Sequence, residues 1–475
     1  MRRKIELSWR GVLLLVVLSG AGGLALAFGA YWLRHADHLR VGAPPALAVN
    51  KATFPLALDP TGHHLVDHDG KPFLIQGEAA WSLVAQLRPA EVETYLEDRR
   101  RRGFNLLMVN LIEHFFSDQP PLDAFGAGPF RVPGDFSTPN PEYFMRAQDI
   151  VRVARSKGQV VLLCPAYLGG DGSAEGWYLE MTRNGPAKLR GYGAYVGELF
   201  REFDNVIWLA GGDFTPPAAA LELVDAVQQG IKQAAPEQLQ TGHWSPETSA
   251  LDVALASTRF DLNTTYTYHP AHLKSLADYQ HGAGRPHFLI ESKYEDDELG
   301  TNERWLRAQA YTALLTGAVG QVFGNRWIWT YTRPTLKNRL LSQHWQAALD
   351  SPGTRSMEFL HLLFEKLPWT ELVPDEKFEL LCSGQGSKGS VDYPVLASTH
   401  DGQLAVAYVP TARGVRINVK GLKAPLRSRW FDPTSGVFSE AVGSPIPESN
   451  DRSFVPNGRN ASGDTDWLLL LETAR

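Results

Sequence analysis

Two acidic residues stand directly behind strongly apolar runs: Asp213 after Val206-Ile207-Trp208-Leu209-Ala210-Gly211-Gly212, and Glu291 after Phe288-Leu289-Ile290. A carboxyl group fixed at the end of a rigid strand can protonate a leaving oxygen. A second can attack the carbon or activate water there, and the two together suit the cleavage of a glycosidic bond. Gly211-Gly212 leaves space beside Asp213 for backbone or ligand to approach. The same positions would also suit a plain ion pair at a rim, Glu291 with Lys293 or Arg326, so residue type and placement nominate the pair without proving it. Other strand-end candidates are Glu78 and Trp81, Asn110, Glu113 and His114, Tyr167, His243 with Trp244 and Glu247, Tyr266 and Tyr268 with His269, and Asn325, Arg326, Trp327 and Trp329. Sugars offer hydroxyls to hydrogen-bond and C–H faces to stack on rings, so this mixture of carboxylates, amides, His and aromatics points to a carbohydrate as the binding partner.

These residues need a scaffold that brings many strand ends to one place. Eight short β-rich runs are expected at 72–77, 104–111, 159–165, 205–210, 238–243, 261–268, 286–291 and 319–324. Helical patterns intervene at 89–102, 141–157, 186–203, 217–234, 272–280 and 302–316, and Pro89, Pro141, Pro186 and Pro217 sit where a first helical turn accepts proline. Eight β/α units predict an α/β TIM (β/α)8 barrel, in which catalytic groups cluster at the C-terminal ends of the strands. A doubly wound sheet would ask for a phosphate-binding glycine loop after the first strand, and Gly77-Glu78-Ala79-Ala80-Trp81 is not one. Beyond about residue 370 the pattern changes to short β-rich runs at 377–382, 391–399, 403–409, 414–419, 426–431 and 466–472 with turn signals between them, which predicts a small all-β sandwich. Gly384-Gln385-Gly386-Ser387-Lys388-Gly389 has dinucleotide-fingerprint spacing, but no helix pattern follows, so it reads as a turn.

Residues 11–33 form an uncharged stretch preceded by Arg2, Arg3, Lys4 and Arg10. As a helix this would reach roughly 34 Å, enough to cross a hydrocarbon core, and the charge bias keeps 1–10 in the cytoplasm and exports the rest. The expected organisation is therefore a cytoplasmic segment 1–10, a transmembrane signal-anchor 11–33, a linker 34–54, a catalytic domain 55–370 and a β domain 371–475. A cleaved signal peptide ending near Ala25-Leu26-Ala27 would instead give a secreted or periplasmic product. The net charge of -6 offers no footprint for nucleic acid. Cys164 and Cys382 are too far apart in the chain, and in different expected domains, to suggest a disulfide framework or zinc site. His63, His64 and His68 fall in a hairpin turn without ligand spacing, and no HExxH occurs, so neither metal nor other cofactor is expected.

Several stretches occur in order along the chain: Leu58 to Leu83, 95–114, 133–144, 165–178, NVIWLAGGDFTPP at 205–217, HWSPETSALD at 243–252, FLIESKYE at 288–295 and GQVFGN at 320–325. Together they resemble the apiosidase-like catalytic domain of glycoside hydrolase family 140. The part containing RWFDPTSG (429–436) and DTDWLLLLE (464–472) resembles the β domain that this family carries, which bears the name of a collagen-binding domain. The resemblance implies a retaining exo-glycosidase acting on apiose-type side chains of pectic or other complex polysaccharides. Asp213 would be its acid/base and Glu291 its nucleophile. The expected substrate-binding residues are Glu78, Trp81, Asn110, Glu113, His114, Tyr167, Trp177, His243, Tyr266, Tyr268, Asn325 and Trp327. Glu78 stands where the family pattern suggests Asp, which would lengthen a pocket carboxylate. The alternative expectation, a non-catalytic carbohydrate-binding or cell-surface scaffold, has against it the retention of both carboxylates. Peptide-bond hydrolysis lacks both a zinc motif and a GxSxG elbow.

Overall fold

The computed structural model describes residues 51–474 apart from 283, 335–343, 448–450 and 457. The expected segments 1–10 and 11–33, and most of the linker, lie outside the described residues. Among the described residues no helix is long and apolar enough to cross a membrane. The described chain begins with a three-stranded antiparallel sheet, β1 (Ala57–Leu58), β2 (Leu65–Val66) and β3 (Pro72–Phe73). The histidine-bearing turn between β1 and β2 is organised by Asp59, whose carboxylate accepts the N–H groups of Thr61, His63 and His64.

Eight strands then form the barrel: β4 (Ile75–Ala79), β5 (Leu106–Asn110), β6 (Val160–Cys164), β7 (Val206–Gly211), β8 (Gln240–His243), β9 (Asn263–Tyr266), β10 (His287–Glu291) and β11 (Gly320–Phe323). They pair in parallel in the order β8-β7-β6-β5-β4-β11-β10-β9. The seam between β8 and β9 is closed by the Asp261 N–H on the Gln240 carbonyl (2.8 Å) and by the Thr241 and Thr264 hydroxyls on the Leu262 and Gly242 carbonyls. Each strand starts within two or three residues of its expected position because continuous apolar runs are what a strand covered on both faces requires. Side chains alternate: Ile75, Leu106, Met108, Leu162, Ile207 and Leu209 fill the barrel, whereas Leu107, Val109, Val161, Leu163 and Trp208 pack against the helices.

The longer helices among the described residues are α1 (Pro89–Arg101), α2 (Pro141–Ser156), α3 (Tyr178–Phe200), α4 (Leu221–Ala234), α5 (Ala271–His281), α6 (Glu303–Leu315) and α7 (Pro352–Phe364). In α3, Pro186 opens a helical stretch as expected, but a further stretch precedes it, and the two meet at Gly185 with φ 73°. Helix α7 was not expected from the sequence pattern.

The β domain contains a six-stranded sheet, ordered β12 (Leu372–Pro374), β14 (Val395–Thr399), β15 (Leu404–Val409), β20 (Trp467–Thr473), β17 (Leu426–Phe431) and β18 (Phe438–Glu440). A three-stranded sheet of β13 (Leu381–Ser383), β16 (Val415–Asn418) and β19 (Asp451–Phe454) covers one face of it, with Leu396, Ala405, Ile417, Trp430 and Leu469 between them. The other face is equally apolar and packs on the barrel: Val406, Tyr408, Leu468 and Leu470 meet Leu306, Tyr311 and Leu314 of α6 and Met357 and Leu360 of α7. Arg307 of α6 crosses this contact to pair with Asp466 (2.7 Å) and Asp464 (2.6 Å). The sandwich is thus three layers deep when the barrel helices are included. Residues 384–387 carry no helix and leave β13 as a loop, which agrees with the turn reading.

Candidate active site

The two carboxylates reach one pocket by two different backbone devices. Past the last inward residues of β7 the chain turns through Gly211 (φ 89°), Gly212 (φ 121°) and Asp213 (φ 51°), three consecutive residues in the left-handed region. A Cβ on Gly211 would lie 2.2 Å from the His243 carbonyl, and one on Gly212 would lie 2.3 Å from the Tyr167 ring, so both positions need glycine for space as well as for φ. Asp213 itself adopts an uncommon conformation for a residue with a side chain. Glu291 would face the helices if the alternation of Phe288 and Ile290 continued. Instead, between Leu289 and Glu291 two residues of β10 oppose one of β9, a bulge that re-aims the carboxylate into the barrel mouth.

The pocket has a volume of about 390 Å³, and its wall includes Trp81, Asn110, Phe116, Tyr167, Asp213, Tyr268, Glu291, Tyr294 and Trp329. An oxygen of Asp213 and an oxygen of Glu291 lie within 4.8 Å of one another, with a ring nitrogen of His243 inside the same radius. Tyr167 donates its hydroxyl to Asp213 Oδ2 at 2.7 Å. His243 is fully buried between the two acids. Its Nδ1 accepts the Asp213 N–H (3.1 Å), so the neutral ring carries its proton on Nε2, which lies 3.0 Å from Glu291 Oε2 and 3.9 Å from Asp213 Oδ1. The Nε2 approach to Glu291 has the distance of a hydrogen bond without its alignment. Tyr266 stacks on the imidazole at 4.8 Å and donates to the Tyr268 hydroxyl.

Burial first, and the charge of Asp213 second, push Glu291 up to about 7, against the lowering effects of His243 and the Tyr294 hydroxyl. Burial resists a positive His243, but the neighbouring Glu291 and Asp213 prevail and raise its pKa. Glu291, with a side chain 6% exposed, is the more enclosed acid, and Asp213 is 22% exposed. The difference arises because Glu291 is still part of its strand whereas Asp213 has left β7. Four polar atoms in and behind this wall have no hydrogen-bond partner: Asn110 Oδ1, Asp213 Oδ1, His243 Nε2 and Glu291 Oε2. Asp213, His243 and Glu291 also form a group whose donor atoms are close enough to hold a cation.

Not every expected site residue lies here. Glu78 is on the helix-facing side of β4, where Arg99 Nη1 approaches it to 2.7 Å and Tyr95 donates to it at 2.5 Å, so it is no pocket carboxylate and its length bears on the barrel wall. Glu113 accepts the Ser82 hydroxyl and the N–H groups of His114, Phe115 and Phe116, which shapes the loop that delivers Phe116 to the pocket. His114 packs edge-on against Trp177 and approaches Glu180 to 3.4 Å, while Trp177 donates to the Ile112 carbonyl inside an aromatic cluster with Phe130 and Phe136. Asn325 is buried, donating to Glu295 and accepting the Trp327 N–H, and the Trp327 indole donates to Asp296. Glu247 holds the end of β9 through Thr267 and the Tyr268 N–H. Of the expected set, Trp81, Asn110, Tyr167 and Tyr268 line the pocket, and His243 and Tyr266 stand immediately behind it. Tyr294 is the notable omission. It follows Glu291 by three residues, accepts the Trp81 indole N–H at 3.3 Å and acts on Glu291, and its place in FLIESKYE was the available signal.

A family model described as the apiosidase-like catalytic domain matches residues 59–371, and one described as "Putative collagen-binding domain of a collagenase" matches residues 374–472. Among solved structures, a glycoside hydrolase family 5 protein from Bacteroides vulgatus aligns with a TM-score of 0.76 at 20% identity, covering 89% of this chain and 95% of its own. Another, named only as a glycoside hydrolase, aligns with a TM-score of 0.75 at 20% identity, covering 89% of this chain and 99% of its own. At such identities the likeness speaks for the shared fold. The curated proteins contain no match.

Proposed function

The chain belongs to the apiosidase-like catalytic-domain family and is a glycosidase, and from that premise we propose that it is a retaining exo-glycosidase of apiose-type side chains on complex polysaccharides. In this reading Glu291 attacks the anomeric carbon while Asp213 gives its proton to the departing glycosidic oxygen, leaving a glycosyl ester on Glu291. Water then attacks the same carbon, Asp213 takes the proton, and the ester bond to Glu291 breaks. The observation that carries the reading is the proximity of the two carboxylates, with oxygens within 4.8 Å in a pocket where each has one oxygen without a hydrogen-bond partner. A covalent intermediate needs carboxyl groups about 5 to 5.5 Å apart, whereas an inverting enzyme leaves about 6.5 to 9.5 Å for a water.

The surroundings suit this division. Tyr167 orients Asp213 from one side, and His243, locked in its Nε2–H form by the Asp213 backbone, can align on Glu291 as negative charge returns to it when the ester breaks. Trp81, Phe116 and Trp329 offer apolar faces for the C–H side of a sugar, and the unpartnered Asn110 Oδ1 offers an acceptor for a hydroxyl. The same proposal places the barrel outside the cytoplasmic membrane, held by residues 11–33, and carbonate extraction of the mature protein reads that directly.

The test is an NMR time course on 4-nitrophenyl apioside within a panel of aryl glycosides. Release of apiose with its anomeric configuration retained in the first-formed product is expected. Inversion would overturn the roles given to the pair, and turnover confined to other sugars would overturn the substrate.

A further inference from the structure

A second cavity opens where α5 meets the β domain. It has a volume of about 250 Å³, and its wall includes His272, Leu276 and Gln280 of α5 with Phe378, Tyr393 and Val395 of the β domain. The His272 ring stacks on Tyr393 at 4.9 Å and 12°, and Phe378 meets the edge of Tyr393 at 84°. Phe378 is 39% exposed, and its φ of 56° lies in the left-handed region that a bulky residue avoids. Asp375 pins that turn by accepting the N–H groups of Glu379, Leu380 and Leu381. The turn thus displays an aromatic ring at the cavity instead of burying it.

His272 supplies a polar counterpart. It is 4% exposed, and its Nε2 lies 2.7 Å from the Lys388 carbonyl, which can only accept, so Nε2 carries a proton. Burial lowers the pKa of the ring, which is therefore neutral at pH 7 and leaves Nδ1 as an acceptor. Among the described residues Nδ1 has no hydrogen-bond partner, and a buried acceptor in a cavity wall calls for a donor from a ligand. At the far end Gln280 donates to Glu376, and the Lys388 side chain also lines the cavity, so its polar groups are mixed in sign. Hydroxyls for such atoms and C–H faces for the rings are what a sugar residue brings. The cavity is also close to the chemistry. Tyr268, in the wall of the active-site pocket, precedes His272 by four residues, so their Cα atoms are no more than about 14 Å apart.

Resting on the reading of the barrel as a glycosidase of polysaccharides, we propose that this cavity is a second glycan-binding site, which holds an uncleaved sugar residue of the polymer whose side chain occupies the active-site pocket. Two contacts on one polymer strengthen each other, so the site lowers KM for the polysaccharide and does nothing for a small aryl glycoside that cannot reach it.

Two variants of the full chain remove the site in different ways. Phe378→Gly takes away the ring and leaves the turn unstrained, since glycine accepts this φ, and Ala277→Phe fills the cavity from α5. Each is expected to raise KM for an apiose-bearing pectin at least about fivefold with kcat unchanged, and to leave kcat/KM on 4-nitrophenyl apioside within about twofold, with Phe378→Gly melting no lower than the wild type. A second arm needs no turnover. Glu291→Gln is run through gels containing the pectin, an arabinan or a galactan, and the polymer that retards it should retard the Glu291→Gln/Phe378→Gly double variant less. This arm depends neither on apiose nor on the stereochemical course, so it can hold where apioside is not the substrate and fail while apioside turnover stands. Retardation by none of the polymers, retardation unmoved by Phe378→Gly, or equal losses on pectin and aryl glycoside would overturn the proposal. So would a self-association abolished by Phe378→Gly with polymer kinetics unmoved, which would give the cavity to a second copy of the chain.

Discussion

Glu78 and Glu291 are both buried glutamates on barrel strands, and burial raises the pKa of each. Glu78 has its cost met at once: Arg99 and Tyr95 take its two oxygens, and Arg99 goes on to the Leu349 carbonyl, tying β4 to α1 and to the segment before α7. Among the described residues Glu291 has another acid for a neighbour, no paired cation beyond the histidine it shares with that acid, and an oxygen without a bond. Burying a carboxylate is tolerated for architecture when hydrogen bonds and countercharge surround it, and it points to chemistry when they are withheld. Residue type and position at a strand end do not distinguish the two cases. The face of the strand and the partners do.

Opposite outcomes from the same substitution would break or sharpen that contrast. Glu291→Gln is expected to lower kcat by about 10⁴-fold or more while leaving the cooperative melting transition in place, because the amide is isosteric and no arginine or lysine among the described residues is paired with the charge. Glu78→Gln should do the reverse, costing about 3 kcal/mol or more by leaving Arg99 under-compensated inside the wall, with near-normal turnover per folded molecule. Denaturant melts and active-site-normalised kinetics on the two proteins decide it, and similar behaviour of the pair would dissolve the distinction.

Asp213→Asn should lower kcat by about 10²- to 10⁴-fold on poor leaving groups and far less on activated aryl glycosides, which need little protonation. Equal losses on both would remove the acid role from Asp213. On the architectural side, Arg307→Ala strands Asp466, which is fully buried and otherwise held by Tyr408 and Asn460. A loss of about 3 to 5 kcal/mol is expected with KM and kcat of the remaining folded protein unchanged, and a shift in KM would show that the β domain communicates with the pocket.

Much of this was legible in the chain. The eight strands came through because runs such as Leu106–Asn110 and Val160–Cys164 are apolar on both faces, which only a covered parallel sheet explains. That Asp213 and Glu291 meet at one pocket was legible because each directly follows such a run. Glu78 was misread because Gly77 and Ala79 conceal which side of β4 is inward: without bulky residues on the inner face, alternation gives no phase. Glu113 and Asn325 were misread for another reason. Their side chains turn back on their own loops, and hydrogen bonds such as those from Phe115 and Phe116 to Glu113 depend on loop geometry that spacing does not encode. The bulge that turns Glu291 inward is likewise invisible in FLIE, where strict alternation would have pointed it at the helices.

The smallest effect is one of pH and stability. Glu291 is pushed from an ordinary 4.5 to about 7 in the folded protein, so the folded state holds this proton more tightly than the unfolded chain does. The resulting stabilisation is fully present below the unfolded value, declines as pH rises from about 4.5, and is gone once pH has passed through about 7. Glu291→Gln has no such proton to lose. Relative to the wild type it should therefore gain stability across that interval and level off above it, by up to about 3 kcal/mol. Glu295 supplies the control, since burial raises it to about 7 as well, yet Ser351, Asn325 and the Gly353 N–H occupy its oxygens. Glu295→Gln should remove a similar pH slope but lower stability even at pH 4, where both proteins are uncharged at that position, because an amide cannot satisfy all three donors. Urea melts of the three proteins between about pH 4 and pH 9 read both slopes on a common scale. If Glu291→Gln proves less stable than the wild type at alkaline pH, Glu291 has a partner there that its unpartnered oxygen does not reveal, and its contrast with Glu78 reduces to one of position.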